Sequence, residues 1–160
     1  MKATKISDKE FQKIYDRLFL WTGNKVLADM WKYGERMVFS DEYTHAALEF
    51  VDGHFRINAN PKYWKRITKF QKVFLICHEL LHLAFGHWAV PDNMDREWVN
   101  VAQDIQVNEY IRANYRILTQ KMKNEDAEAW IETVFKDKAD LVEKDRDFHY
   151  YYGLLMKCLA

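Results

Sequence analysis

The chain has 160 residues, 24 Lys plus Arg balanced by 24 Asp plus Glu, and two cysteines. That length suits a single domain, residues 1–160, with a core large enough to stand without disulfides, and two cysteines are too few for a secreted disulfide scaffold. The charge balance removes any sequence-independent grip on nucleic acid or an anionic membrane, and no apolar signal core follows Met1, so a cytoplasmic protein is expected, with neither nucleic acid nor membrane as partner.

The first helix is expected to open on Ser7-Asp8-Lys9-Glu10, a capping box, and to continue with Phe11, Ile14, Tyr15, Leu18 and Phe19 as core at helical spacing. A second helix, about residues 24–33, carries Val26, Leu27, Met30 and Trp31 and stops at Gly34. The period then changes. Between Thr44 and Asn58 two alternating runs flank Asp52-Gly53, which predicts a small antiparallel hairpin ending before Pro61. Thr68-Lys69-Phe70-Gln71 is a second capping box, and the helix it starts is expected over residues 69–85 with Gly86 as its stop. Asp95 caps a further helix through Trp98, Val101, Ala102, Ile105, Val107 and Ile111, and Asn124 and Asp145 are expected to cap two shorter ones. The pattern predicts a mostly helical α+β domain with its hairpin, about residues 44–58, beside the 69–85 helix.

That helix contains His78-Glu79-Leu80-Leu81-His82, an H-E-x-x-H pentad. Residues i and i+4 share a helix face, so both imidazoles can bind one zinc ion while Glu79 reaches a water on it. The surrounding Phe74, Leu75, Ile76, Leu80, Leu81, Leu83 and Phe85 leave the helix buried on most sides. Its longest apolar stretch, Val73 to Phe85, is too short to span a bilayer. A Glu and two His buried there need partners, and a metal ion with its water satisfies all three. The bland alternative is a chance match in which one His packs and the other bonds a carbonyl.

A catalytic zinc takes three protein ligands and keeps one open position. Three residues compete for the third place. Asp104, 22 residues after His82 on the next helix, ranks first. Asn108, one turn on, is placed to accept the outer N–H of a ligand His and fix its tautomer. His87 ranks second: in the pattern H-E-x-x-H-x-x-G-x-x-H the Gly and last His would fall at 85 and 88, so Gly86 is late and His87 early by one residue. His54, beside the hairpin turn, ranks third.

The spaced landmarks resemble the putative metallopeptidase domain family, a zincin-like group of bacteria and phages often followed by a von Willebrand factor A-like region. They are Val51-Asp52-Gly53, Arg56-Ile57-Asn58 and Asn60-Pro61, then Cys77 with the pentad and Gly86-His87, then Trp98, Asn100, Ala102, Asp104, Val107 and Asn108, and last Tyr150 to Leu155 as a closing helix. The resemblance implies a gluzincin-like fold with zinc on His78, His82 and Asp104, Glu79 as catalytic base, and Asp104 and Asn108 as ligand and orienting residue. Two departures stand out. The family's Trp-Asn pair is split here as Trp98-Val99-Asn100, and no von Willebrand-like region follows, so its contribution is expected to be either lost or supplied by a protein partner in trans.

The activity expected is zinc-dependent hydrolysis of a peptide or protein substrate, with Glu79 moving the proton. Donors for the oxyanion are sought among His87, His149, Tyr150, Tyr151 and Arg96. The strand Phe55-Arg56-Ile57 to Asn58 is the candidate edge for an extended substrate, with plain capping of the core as its alternative. A rival from another class is an idle zincin fold that binds a protein partner through its Trp and Tyr, its zinc structural. Glu79 argues for the enzyme, because a structural site has no use for it. Cys77 is read as a small core residue, a thiolate near zinc being its alternative.

Overall fold

A computed structural model describes residues 3–120, 122 and 129–159. Among them the chain forms eight α-helices and four short strands, a mostly helical α+β arrangement. Contacts divide it between Leu80 and Leu81, inside one continuous helix, giving the units Met1–Leu80 and Leu81–Ala160.

In the first unit, α1 (Asp8–Thr22) starts where the Ser7 hydroxyl accepts the Glu10 N–H, and ends at the left-handed Gly23. Only half of the expected capping box forms, because the Glu10 carboxylate turns away from Ser7. It accepts the Trp64 indole N–H at 2.6 Å and lies 3.6 Å from the Lys72 ammonium. The helix buries Phe11, Ile14 and Leu18, whereas Phe19 is 47% exposed, and in α2 (Lys25–Tyr33) Val26 is exposed while Leu27, Ala28 and Trp31 are buried. These two departures from the expected core share a cause: each residue is rotated about 100° past a buried neighbour, to the margin of a narrow apolar stripe. Trp31 stacks on Phe11 with ring centroids 5.0 Å apart and donates its indole N–H to the Phe11 carbonyl.

The sheet has four strands in the order β1 (Thr4–Lys5), β2 (Val38–Phe39), β4 (His54–Ala59), β3 (Ala46–Val51). The hairpin forms as expected, with Val51 opposite His54 and positive φ at both Asp52 (51°) and Gly53 (80°), the backbone a two-residue turn needs to match strand twist. The sheet is nevertheless mixed rather than purely antiparallel, because β2 runs parallel to β4 through Asn58 and Ala59. β4 is therefore not an edge strand along its whole length. Its last two residues lie between β2 and β3, and the edge expected for Phe55 to Asn58 shortens to residues before Asn58. Helix α3 (Pro61–Arg66) follows directly, capped by Asn60, and buries Trp64 against Phe39.

Helix α4 (Lys69–Ala84) opens on the full capping box: the Thr68 hydroxyl accepts the Gln71 N–H, and the Gln71 side-chain oxygen accepts the Thr68 N–H at 2.7 Å. Trp21 of α1 stacks on Phe70 in its first turn, with centroids 4.5 Å apart.

The second unit is built on α5 (Arg96–Asn114), capped by Asp95, whose carboxylate accepts the Glu97 and Trp98 N–H groups. Its buried Val99, Ala102 and Ile105 pack with Ile131 and Phe135 of α7 (Ile131–Phe135) and with Phe148, Tyr151 and Leu155 of α8 (Phe148–Leu159). Between α5 and α7 lies α6 (Arg116–Gln120), and a 3-10 turn (Lys136–Leu141) follows α7. The expected cap Asn124 lies outside the described residues. Asp145 does not cap α8; it sits at φ 58°, and Asp147, two residues on, accepts the Tyr150 N–H in the capping position. Asp145 turns the chain so that Asp147 can cap it. No helix of the described residues is long and apolar enough to cross a membrane.

Trp64→Phe removes the indole N–H from Glu10 while keeping an aromatic ring against Phe39. A hydrogen bond to a charged acceptor is worth about 1.5–3 kcal/mol, so the urea midpoint should fall by a corresponding amount with the slope unchanged. Unchanged stability would show that Lys72 and solvent compensate fully.

Candidate metal centre

On α4, His78 and His82 stand one turn apart, and Asp104 of α5 brings its carboxylate oxygen to 3.0 Å from His82 Nε2. One donor atom from each of His78, His82 and Asp104 lies within 4.8 Å of the others. Tetrahedral zinc with bonds of about 2.0–2.1 Å spaces its ligand atoms about 3.3 Å apart, so small side-chain movements bring this set onto one ion. Two imidazoles and a carboxylate are also the donor chemistry a divalent transition metal takes, with one position left over. The residues fit. The Asp104 side chain is 40% exposed against 15% for His82, so solvent reaches the group on the carboxylate side. Glu79 is buried beside His78 in the sequence.

The end of α4 shapes this site. Gly86, at φ 72°, takes the left-handed conformation that closes the helix; its N–H bonds the Leu83 carbonyl at 3.0 Å, and the His87 N–H bonds the His82 carbonyl at 2.9 Å. These two bonds are those of a Schellman motif, which folds the residue after the glycine back against the last full turn. Here the returning residue is His87 and the residue it meets is His82. Their Nδ1 atoms are 2.9 Å apart. Helix α5 holds His87 twice: the Gln103 amide donates to its carbonyl at 3.2 Å, and the Gln106 side-chain oxygen lies 2.7 Å from its Nε2. The same Gln106 oxygen accepts the Phe148 N–H at the start of α8.

His87 thus contacts a member of the donor group rather than joining it, and His54 is exposed at the start of β4. Asn108 is buried and donates its amide to the Ala129 carbonyl. The Tyr150 hydroxyl accepts the Glu143 N–H, the Tyr151 hydroxyl donates to the Glu143 carbonyl, and Tyr152 accepts the Asp95 N–H, so this run of tyrosines ties down backbone within the second unit. His149 is exposed, 3.5 Å from an Asp147 oxygen, and Arg96 is exposed on the first turn of α5. Phe55 packs on Phe50, Arg56 is bonded to Glu49, and Ile57 is in the core. Asn100 is exposed on α5. Burial pushes the Cys77 thiol pKa up, and the donor group of His78, His82 and Asp104 does not include it.

Reading the sequence missed Gln103 and Gln106. The signal available was two uncharged amides flanking Asp104 on a helix that also buries Val99, Ala102, Ile105, Val107 and Ile111, since a polar side chain among such residues needs a specific partner.

A family model described as "Putative metallopeptidase domain" matches residues 36–138. No curated protein and no solved structure matches the chain.

Gly86→Ala forces a Cβ into the left-handed region, at a cost of about 1–2 kcal/mol. The expected outcome is a lower melting temperature together with weaker metal uptake, because the turn that returns His87 to His82 is strained; unchanged uptake would separate the turn from the site. In thiol titration of the folded protein, Cys158, which is exposed, should react promptly and Cys77 only after denaturation.

Proposed function

The chain belongs to the putative metallopeptidase domain family, and from that premise we propose that it hydrolyses peptide bonds, with one zinc ion held by His78, His82 and Asp104. The observation that carries this reading is the convergence of two imidazole nitrogens and a carboxylate oxygen from α4 and α5. When bound, zinc supplies Lewis-acid polarisation of the scissile carbonyl and lowers the pKa of the attacking water. Glu79, between the two His in sequence and rotated about 100° from His78, takes the proton from that water and returns it to the leaving amine. Asp104 keeps the ligand set at net charge −1 before the ion binds, which leaves the bound ion with positive charge to spend on the substrate.

The substrate proposed is an extended peptide or protein segment. In β4, β3 pairs one side throughout, while the partner on the other side, β2, covers only Asn58 and Ala59. Backbone groups of residues 54–57 on that side are the proposed place for an added strand. With Arg56 committed to Glu49 and Ile57 to the core, Phe55 is the side chain of this stretch suited to meet a substrate residue. The proposed setting is the cytoplasm, on charge balance and cysteine usage.

The test pairs metal analysis with hydrolysis of a quenched-fluorescent peptide library. Wild type should carry one zinc and lose activity to a chelator, and Glu79→Gln should keep the zinc while losing about 10²–10⁴-fold in rate. Asp104→Ala should lose zinc. Full zinc in Asp104→Ala with loss in His87→Ala would overturn the ligand set, and zinc-loaded wild type inert on every peptide would return the idle, partner-binding reading.

A further inference from the structure

The role of His87 follows from which atoms can donate. A backbone N–H can only donate, so the Gln106 atom that meets the Phe148 N–H at 3.0 Å is the carbonyl oxygen, which fixes the orientation of an amide otherwise ambiguous. That same oxygen lies 2.7 Å from His87 Nε2, and an oxygen that accepts requires a hydrogen on Nε2. His87 is buried, with its ring 5.2 Å from Phe148 and 5.7 Å from Phe85, surroundings that favour the uncharged imidazole. A neutral ring with its hydrogen on Nε2 presents a lone pair at Nδ1. His82 Nδ1, 2.9 Å away, must then donate, and in a neutral His82 ring, the form that binds a metal, the lone pair is on Nε2, the atom that faces Asp104.

We propose that Gln106 and His87 form a positioning relay that sets the tautomer of His82, so that Nε2 is its metal-binding atom. The proposal rests on the metal-binding reading above. The relay starts at an N–H of α8, passes through one amide and one imidazole, and ends on a ligand atom. His87 and Gln106 are positioning residues: they act on the ion through His82. His82 Nε2 lies 3.0 Å from an Asp104 oxygen, so the atom the relay leaves for the metal is the one that faces the carboxylate of the donor group.

The test uses the full chain with histidine rings labelled in nitrogen-15. Long-range proton–nitrogen spectra of the zinc-loaded protein should show His82 with hydrogen on Nδ1 and metal on Nε2, and His87 neutral with hydrogen on Nε2. Hydrogen on His87 Nδ1, or zinc on His82 Nδ1, overturns the relay. Zinc affinity, read by competition with a chromophoric chelator, should fall about 10–100-fold in Gln106→Met, which keeps chain length and removes the acceptor, and remain near wild type in Gln106→Glu, which keeps an oxygen for both donors. His87→Phe leaves the Gln106 to Phe148 bond in place and should show the same loss, which separates the relay from damage to α8. Equal affinity in all three variants overturns the proposal. If wild type takes up no zinc, the metal reading fails instead, and the ring tautomers of the metal-free chain still decide the relay.

Discussion

One constraint governs the centre of this protein: the His82 imidazole of α4 and the Asp104 carboxylate of α5 are held close together at a partly buried place. The His82 Nε2 to Asp104 contact at 3.0 Å expresses it directly. Surrounding features limit how His82 can move. The Schellman turn at Gly86 folds His87 onto the far side of the His82 ring, and Gln103 and Gln106 hold His87 by its carbonyl and its ring. The fold therefore keeps these side chains convergent.

The parts of this arrangement legible in the sequence are those encoded locally. The capping box at Thr68 and Gln71 needs only residues three apart, and Asp52-Gly53 needs only its own φ angles, so both appear as read. His78, His82 and Asp104 were legible for a related reason: helical spacing fixes the first two, and a carboxylate on the next helix is a short step. Features set by distant pairing were not legible. Strands β1 and β2 have two residues each, too short for an alternating pattern, and exist because β4 and each other's backbones complete them. The half capping box at Ser7 follows the same logic, since the Glu10 carboxylate is drawn off by Trp64, 54 positions away.

His87 shows the limit most sharply. Its spacing from the pentad made it a candidate ligand, and spacing alone does not distinguish a ligand from a residue that contacts one. In the structure the left-handed turn at Gly86 sends the chain back so that the His87 ring meets His82, and the Gln106 oxygen meets it from the other side. Resemblance to a family pattern named Asn108 for the orienting task; its amide N–H donates to the Ala129 carbonyl, a bond that leaves that task to the amide oxygen.

The shared oxygen of Gln106 joins two events that would otherwise be separate. The Phe148 amide, 42 positions along the chain, is bonded to the same atom as His87. Its hydrogen-exchange rate is therefore a gauge of the histidine pair, readable without substrate or inhibitor. Fraying of the first turn of α8 would free the Gln106 oxygen from one of its two partners, so the closing helix, though it contributes none of the three candidate donor atoms, bears on how firmly the His87 ring is held beside His82.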